Sequence, residues 1–128
     1  MGTKLSFIVQ GDPRTKKNSS RIVKMGNYHR IMPSKAYIEY EKDFVKQCMI
    51  LKVKDLKLCS KYNIECHYFM KTKRKVDLTN LLSGTMDCLV TARVIEDDNC
   101  HIAYSHNGSY VSYDKENPRV EISIAEIV

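Results

Sequence analysis

The chain has 128 residues, enough for one hydrophobic core and too few for two independent ones, so a single domain over residues 1–128 is expected. Its 21 lysines and arginines against 15 aspartates and glutamates give a net charge of +6 and a pI near 9.1, a balance that suits a polyanionic partner. No apolar run reaches the length of a membrane span or marks a signal peptide, and Cys48, Cys59, Cys66, Cys88 and Cys100 form no C-x-x-C pair for zinc or redox chemistry, so a cytoplasmic protein with reduced, mostly buried thiols and no membrane partner is expected.

Lys4 to Gln10 is rich in β-formers (Phe7, Ile8, Val9) and stops at the turn signal Gly11-Asp12-Pro13, which predicts a strand. The polar stretch from Arg14 to Arg30 carries Arg14, Lys16, Lys17, Arg21, Lys24 and Arg30 and reads as an extended basic loop or arm. Past Pro33, Ser34 can cap a helix whose apolar face takes Tyr37, Tyr40, Phe44, Val45, Cys48 and Leu51 at helical spacing. From Lys61 to Phe69, Tyr62, Ile64, Cys66 and Tyr68 alternate with Asn63, Glu65 and His67, the pattern of a half-buried strand.

That strand runs into four cations, Lys71, Lys73, Arg74 and Lys75, and then into Asp77, which can cap a second helix bearing Leu78, Leu81, Leu82, Thr85 and Leu89 on or near one face. Val94-Ile95 leads to the acidic triplet Glu96-Asp97-Asp98. A short strand from His101 to Ser105, a turn at Asn107-Gly108 and a closing strand from Arg119 to Ile127 complete the chain. The order predicts an α/β (α+β) domain, a small mixed sheet with two helices packed on it.

The carboxylates and the cations are the chemistry-bearing residues. Basic side chains can hold a phosphate backbone, and one or two converging carboxylates can hold a hard divalent ion against a phosphate. Asp77 and Asp87 lie ten positions apart on one helix, about 15 Å along its axis, so they cannot share an ion. Asp98 has enough intervening chain to double back to Asp77. On the residues alone Asp77 reads first as a helix cap and Glu96-Asp97-Asp98 as an acidic turn. His29, His67, His101 and His106 show no ligand spacing, and there is no nucleophile triad or phosphate-binding glycine loop.

The stretch Lys-x-Lys-Arg-Lys-Val-Asp-Leu-Thr-Asn-Leu-Leu-Ser-Gly-Thr-Met-Asp-Cys-Leu from Lys71, followed by Val-Ile-Glu-Asp-Asp, resembles the RusA family of Holliday-junction resolvases. Members carry a basic segment, then D-x-D-N-x-x-K-x-x-x-D-x-L, then a D-D pair beyond the helix. The early Gly11-x-Pro13 with basic residues after it and the strands through Asn63 and Ile124 fit as well, so the likeness covers nearly the whole chain. It implies a homodimeric, Mg²⁺-dependent endodeoxyribonuclease, with Mn²⁺ as a substitute ion, that introduces paired nicks in four-way DNA junctions during recombination and repair. Site residues implied by motif position are Asp77, Thr79, Asn80, Asp97 and Asp98, with Asp77 and Asp98 as metal ligands and Asp87 structural. Arg14, Lys16, Lys17, Arg21, Lys71, Lys73, Arg74 and Lys75 would hold DNA. The family's habit also suggests a phage or prophage origin.

Two positions depart from the pattern. Thr79 stands where the family has a second aspartate and Ser83 where it has a lysine, four residues apart and hence on one helix face. A hydroxyl is a weaker ligand than a carboxylate, and the lost lysine removes a charge that could stabilise the reacting phosphate. Lys73, Arg74 or Lys75 is the expected replacement. The alternatives are a catalytically impaired relative that binds branched DNA without cutting it, and an unrelated basic RNA-binding protein.

Overall fold

The computed structural model describes residues 4–16 and 20–128. Its elements run β1 (Lys4–Gln10), β2 (Ser20–Met25), β3 (Tyr28–Pro33), α1 (Lys35–Ile50), β4 (Tyr62–Met70), α2 (Leu78–Thr91), β5 (Ala103–Ser105), β6 (Tyr110–Tyr113) and β7 (Arg119–Glu126). The expected α+β plan holds: a five-stranded mixed sheet and two helices.

The sheet is ordered β1-β7-β4, with both junctions antiparallel, and β4 then takes two short parallel partners, β5 along its first residues and β6 along its last. Between those partners the β4 backbone is served by side chains. Ser109 Oγ accepts from the Cys66 N–H at 3.0 Å, and His106 Nδ1 lies 2.9 Å from the Ile64 carbonyl oxygen, which makes the connection from β5 to β6 part of the ladder.

Period-two alternation sets the core. Phe7 and Val9 of β1, Val120, Ile122 and Ile124 of β7, and Tyr62, Ile64, Cys66 and Tyr68 of β4 all point to one face, in register as Phe7 opposite Ile122 opposite Cys66. The helices contribute Tyr37, Phe44 and Cys48 from α1 and Leu81, Leu82, Met86, Cys88 and Leu89 from α2 to the same core. Each fully buried Leu or Ile contributes about 1.5–3 kcal/mol over its exposed state. Tyr68 Oη and Thr85 Oγ1 meet inside at 2.7 Å, so the one buried polar side chain of α2 is satisfied.

Ser34 caps α1 as expected, its Oγ accepting from the Tyr37 N–H at 3.2 Å. Leu51, expected on the apolar face of that helix, is exposed, because the helix ends at Ile50 and Leu51 is its C-cap. The expected basic loop from Arg14 to Arg30 is corrected in its second half: β2 and β3 form an antiparallel hairpin across the two-residue turn Gly26-Asn27, with Gly26 at φ 62°. Strand β6 was not anticipated at all. Cys48, Cys66 and Cys88 are buried, and Cys59 and Cys100 are exposed; all five are free thiols. Burial pushes the three buried thiols up to about 12, which leaves them inert packing groups. Among the described residues no helix is long and apolar enough to cross a membrane.

Candidate active site

Helix α2 is the spine of the site. Asp77 occupies its N-cap position, and its carbonyl accepts from the N–H groups of Asn80 and Leu81, both at 3.1 Å. Its carboxylate makes no capping bond. Asp77 Oδ2 instead accepts from Asn80 Nδ2 at 3.3 Å, which holds the acid toward the exterior beside Thr79, also exposed. Asp77, Asn80, Gly84 and Asp87 follow one another at steps of three and four, so they form a stripe along one face.

The acidic turn beyond α2 divides its labour between two neighbours. Asp97 is used by the turn itself: Oδ1 accepts from the Asp98 N–H at 2.8 Å and Oδ2 from Asn99 Nδ2 at 3.0 Å, and these bonds hold its carboxyl below the ordinary range. Asp98 is shifted the other way, upward, first by partial desolvation and then by the negative charges of Asp87 and Asp97. Glu96 is exposed, its backbone N–H tied to the Leu58 carbonyl at 2.9 Å. Asp87, read from the sequence as structural and too far from Asp77 to share an ion, is thus an electrostatic neighbour of Asp98.

The basic residues come from two segments that the fold brings together. Asp12 Oδ1 accepts from the Lys71 N–H at 3.0 Å, fastening the segment after β1 to the segment after β4. A polar cleft of about 300 Å³ opens between them, and Arg14, Arg74 and Lys75 line it with Thr15 and Thr72. Lys73 turns away to lie 5.0 Å from the centre of the Tyr113 ring, on β6. Lys16 faces α2, its Nζ 3.4 Å from Asp87 Oδ2. Lys17 lies outside the described residues, as does the side chain of Arg21.

This crossing depends on Gly84, which the sequence reading passed over. A Cβ there would stand 3.3 Å from the Arg14 carbonyl oxygen, 3.4 Å from the Tyr37 ring and 3.8 Å from the Lys16 nitrogen. Tyr37 Oη also donates to the Gly84 carbonyl at 3.1 Å. The signal was available: glycine inside a helix costs about 1 kcal/mol against alanine and marks a close approach when it is kept.

Among the described residues no group of three or more His, Cys, Asp or Glu is arranged to hold a metal ion. Magnesium needs less than that, commonly one or two carboxylates with water and substrate phosphate completing the shell. The exposed carboxylates of Asp77, Glu96 and Asp98 are hard oxygen donors of the kind such an ion takes. A separate cleft of about 780 Å³ is mostly apolar, lies among Phe7, Ile50, Leu51, Val53 and Ile122, and contains none of these residues.

The family model for endodeoxyribonuclease RusA matches residues 10–125. No curated protein matches the chain. The match spans the polar segment after β1, α1, the central strand, α2 and the acidic turn, and the chain belongs to the RusA family of endodeoxyribonucleases, whose members resolve four-way junctions.

Proposed function

We propose that the protein is a structure-selective endodeoxyribonuclease that nicks four-way DNA junctions as a homodimer, with Mg²⁺ as its ion and Mn²⁺ able to replace it. The observation that carries this reading is the family match over residues 10–125, which excludes the unrelated RNA-binding alternative. Asp77 and Asp98 would hold the ion, which when bound supplies positive charge at the scissile phosphate and makes water a stronger acid. Asn80 orients Asp77 through its amide, and Asp97, occupied by the turn, orients Asp98 through the backbone. Thr79, two residues after Asp77, would add an exposed hydroxyl.

Arg14, Arg74 and Lys75 around their shared cleft would form a cradle for a backbone phosphate, and the exposed Lys71 and Lys73 of the same segment would add positive charge outside it. Lys17 and Arg21, whose side chains lie outside the described residues, would add to the positive charge offered to DNA. Such contacts position a duplex without reading its bases, so junction geometry decides which DNA is cut.

The test is cleavage of a synthetic four-way junction and of a linear duplex of the same sequence in Mg²⁺. Wild type is expected to make paired nicks in the junction alone. Asp98→Asn is expected to bind it normally and cut at least about 100-fold more slowly. Tight junction binding with no nicking would identify an impaired member of the family, and Thr79→Asp with Ser83→Lys should then restore cutting. Equal binding to junction and duplex would remove the proposal.

A further inference from the structure

We propose that Lys16 is the cation that contacts the reacting phosphate at this site and that Asp87 is its positioning residue. The inference rests on the nuclease reading above and deepens it. The segment from Gly11 to Lys16 behaves as a strap tied at both ends. At one end the Gly11 N–H donates to the Pro118 carbonyl at 3.0 Å and Asp12 Oδ1 accepts from Lys71 at 3.0 Å. At the other its backbone lies directly against α2, where position 84 has no side chain to hold it off. The close approach holds the Lys16 backbone, from which its side chain springs, beside the helix.

From that base the ammonium reaches Asp87 Oδ2 at 3.4 Å, and among the described residues no other cation forms an ion pair with α2. The two side chains remain 46% and 34% exposed, so the pair contributes little to stability, in the range of 0–1 kcal/mol for exposed pairs generally, and a phosphate can still reach Lys16. Asp87 in turn lies on the stripe of α2 that begins with Asp77 and Asn80. A cation held by Asp87 therefore stands on the helix face that also carries Asp77, where an incoming phosphate oxygen needs positive charge.

The basic run after β4 does not fill this place, since Lys73 lies over Tyr113 and Arg74 and Lys75 line the cleft shared with Arg14. Ser83 is one helical turn before Asp87 on the same face. A lysine at 83 would present its ammonium to the same carboxylate that now holds Lys16.

The test is single-turnover cleavage of the four-way junction, with affinity measured separately in Ca²⁺ and thermal unfolding followed for each variant. Lys16→Gln is expected to lower the cleavage rate about 30-fold or more with affinity within about threefold, the pattern of a group used in the transition state. Lys16→Arg should keep at least about a third of the rate, and Asp87→Asn should lose about tenfold, with no further loss when combined with Lys16→Gln. Adding Ser83→Lys to Lys16→Gln should restore cutting, which a merely structural lysine would not allow. Wild-type nicking with Lys16→Gln equally fast overturns this proposal alone. A wild type that nicks no junction overturns the nuclease reading and this proposal with it.

Discussion

Asp97 and Asp98 are adjacent in sequence and opposite in chemistry, and the difference comes from where their hydrogen bonds go. Asp97 spends both oxygens on the Asp98 N–H and the Asn99 amide, which favour its charged form. The folded value lies below the usual 3.8, so the stability it contributes is present above 3.8 and is lost as pH falls through the folded value. Asp98 has the reverse sign. Its folded value lies above 3.8, so the folded state holds the proton more tightly, and stability falls as pH rises from 3.8 through the folded value. Near neutral pH, Asp98→Asn should therefore raise the melting temperature and Asp97→Asn should lower it. Below 3.8 the gain from Asp98→Asn should vanish. Thermal unfolding of both variants across this pH range checks the assignment, and a destabilised Asp98→Asn at neutral pH would mean that Asp98 belongs to the turn. This division could not be read from the sequence, where Glu96-Asp97-Asp98 is a run of like charges. The turn's hydrogen bonds, made by the Asp98 and His101 N–H groups and the Asn99 side chain, are what separate its members.

At the scale of elements, the strongly periodic segments were legible and those defined by their partners were not. Tyr62, Ile64, Cys66 and Tyr68 announce β4, and Ser34 announces the start of α1, because alternation and capping are local properties. Strand β6 has no such pattern: all four of its residues are exposed, and it exists because the second half of β4 offers it a ladder from His67 to Met70. The β2–β3 hairpin hid inside a basic stretch whose charges suggested a loop, although Gly26-Asn27 is a two-residue hairpin turn. The packing of α2 against the strap was equally invisible, because it needs Gly84 and Arg14 to meet across seventy residues of chain. Gly84→Ala sets two effects of similar size against each other. Alanine gains about 1 kcal/mol of helix propensity. Its methyl also presses on the Arg14 carbonyl oxygen and the Tyr37 ring, at 3.3 and 3.4 Å. Stability is expected to stay within about 1 kcal/mol of wild type for Gly84→Ala and to fall by about 2–3 kcal/mol for Gly84→Leu, whose larger side chain must displace the strap. Urea unfolding measures both, and a Leu variant as stable as wild type would show that the strap does not pack on the helix.

Across the whole molecule, the net charge of +6 matters less than its arrangement. The tie from Asp12 to Lys71 gathers Arg14, Arg74 and Lys75 around one cleft, while Lys16 stands on the same strap against α2. A surface that meets phosphate in this way releases condensed counterions on binding, so the logarithm of affinity falls linearly with the logarithm of salt concentration, by about 0.9 for each phosphate neutralised on duplex DNA. Replacing Arg74 and Lys75 together by Gln should reduce that slope by about 2 and weaken binding to junction and duplex alike. The preference for the junction should survive, because these side chains bind backbone common to both. A control pair taken from elsewhere on the surface, Lys42→Gln with Lys46→Gln on α1, lowers the net charge equally but should leave the slope nearly unchanged. Fluorescence anisotropy over a salt titration distinguishes the two cases. If both pairs changed the slope by the same amount, diffuse net charge would be holding the DNA, and the cleft between the strap and the segment after β4 would have no special part in it.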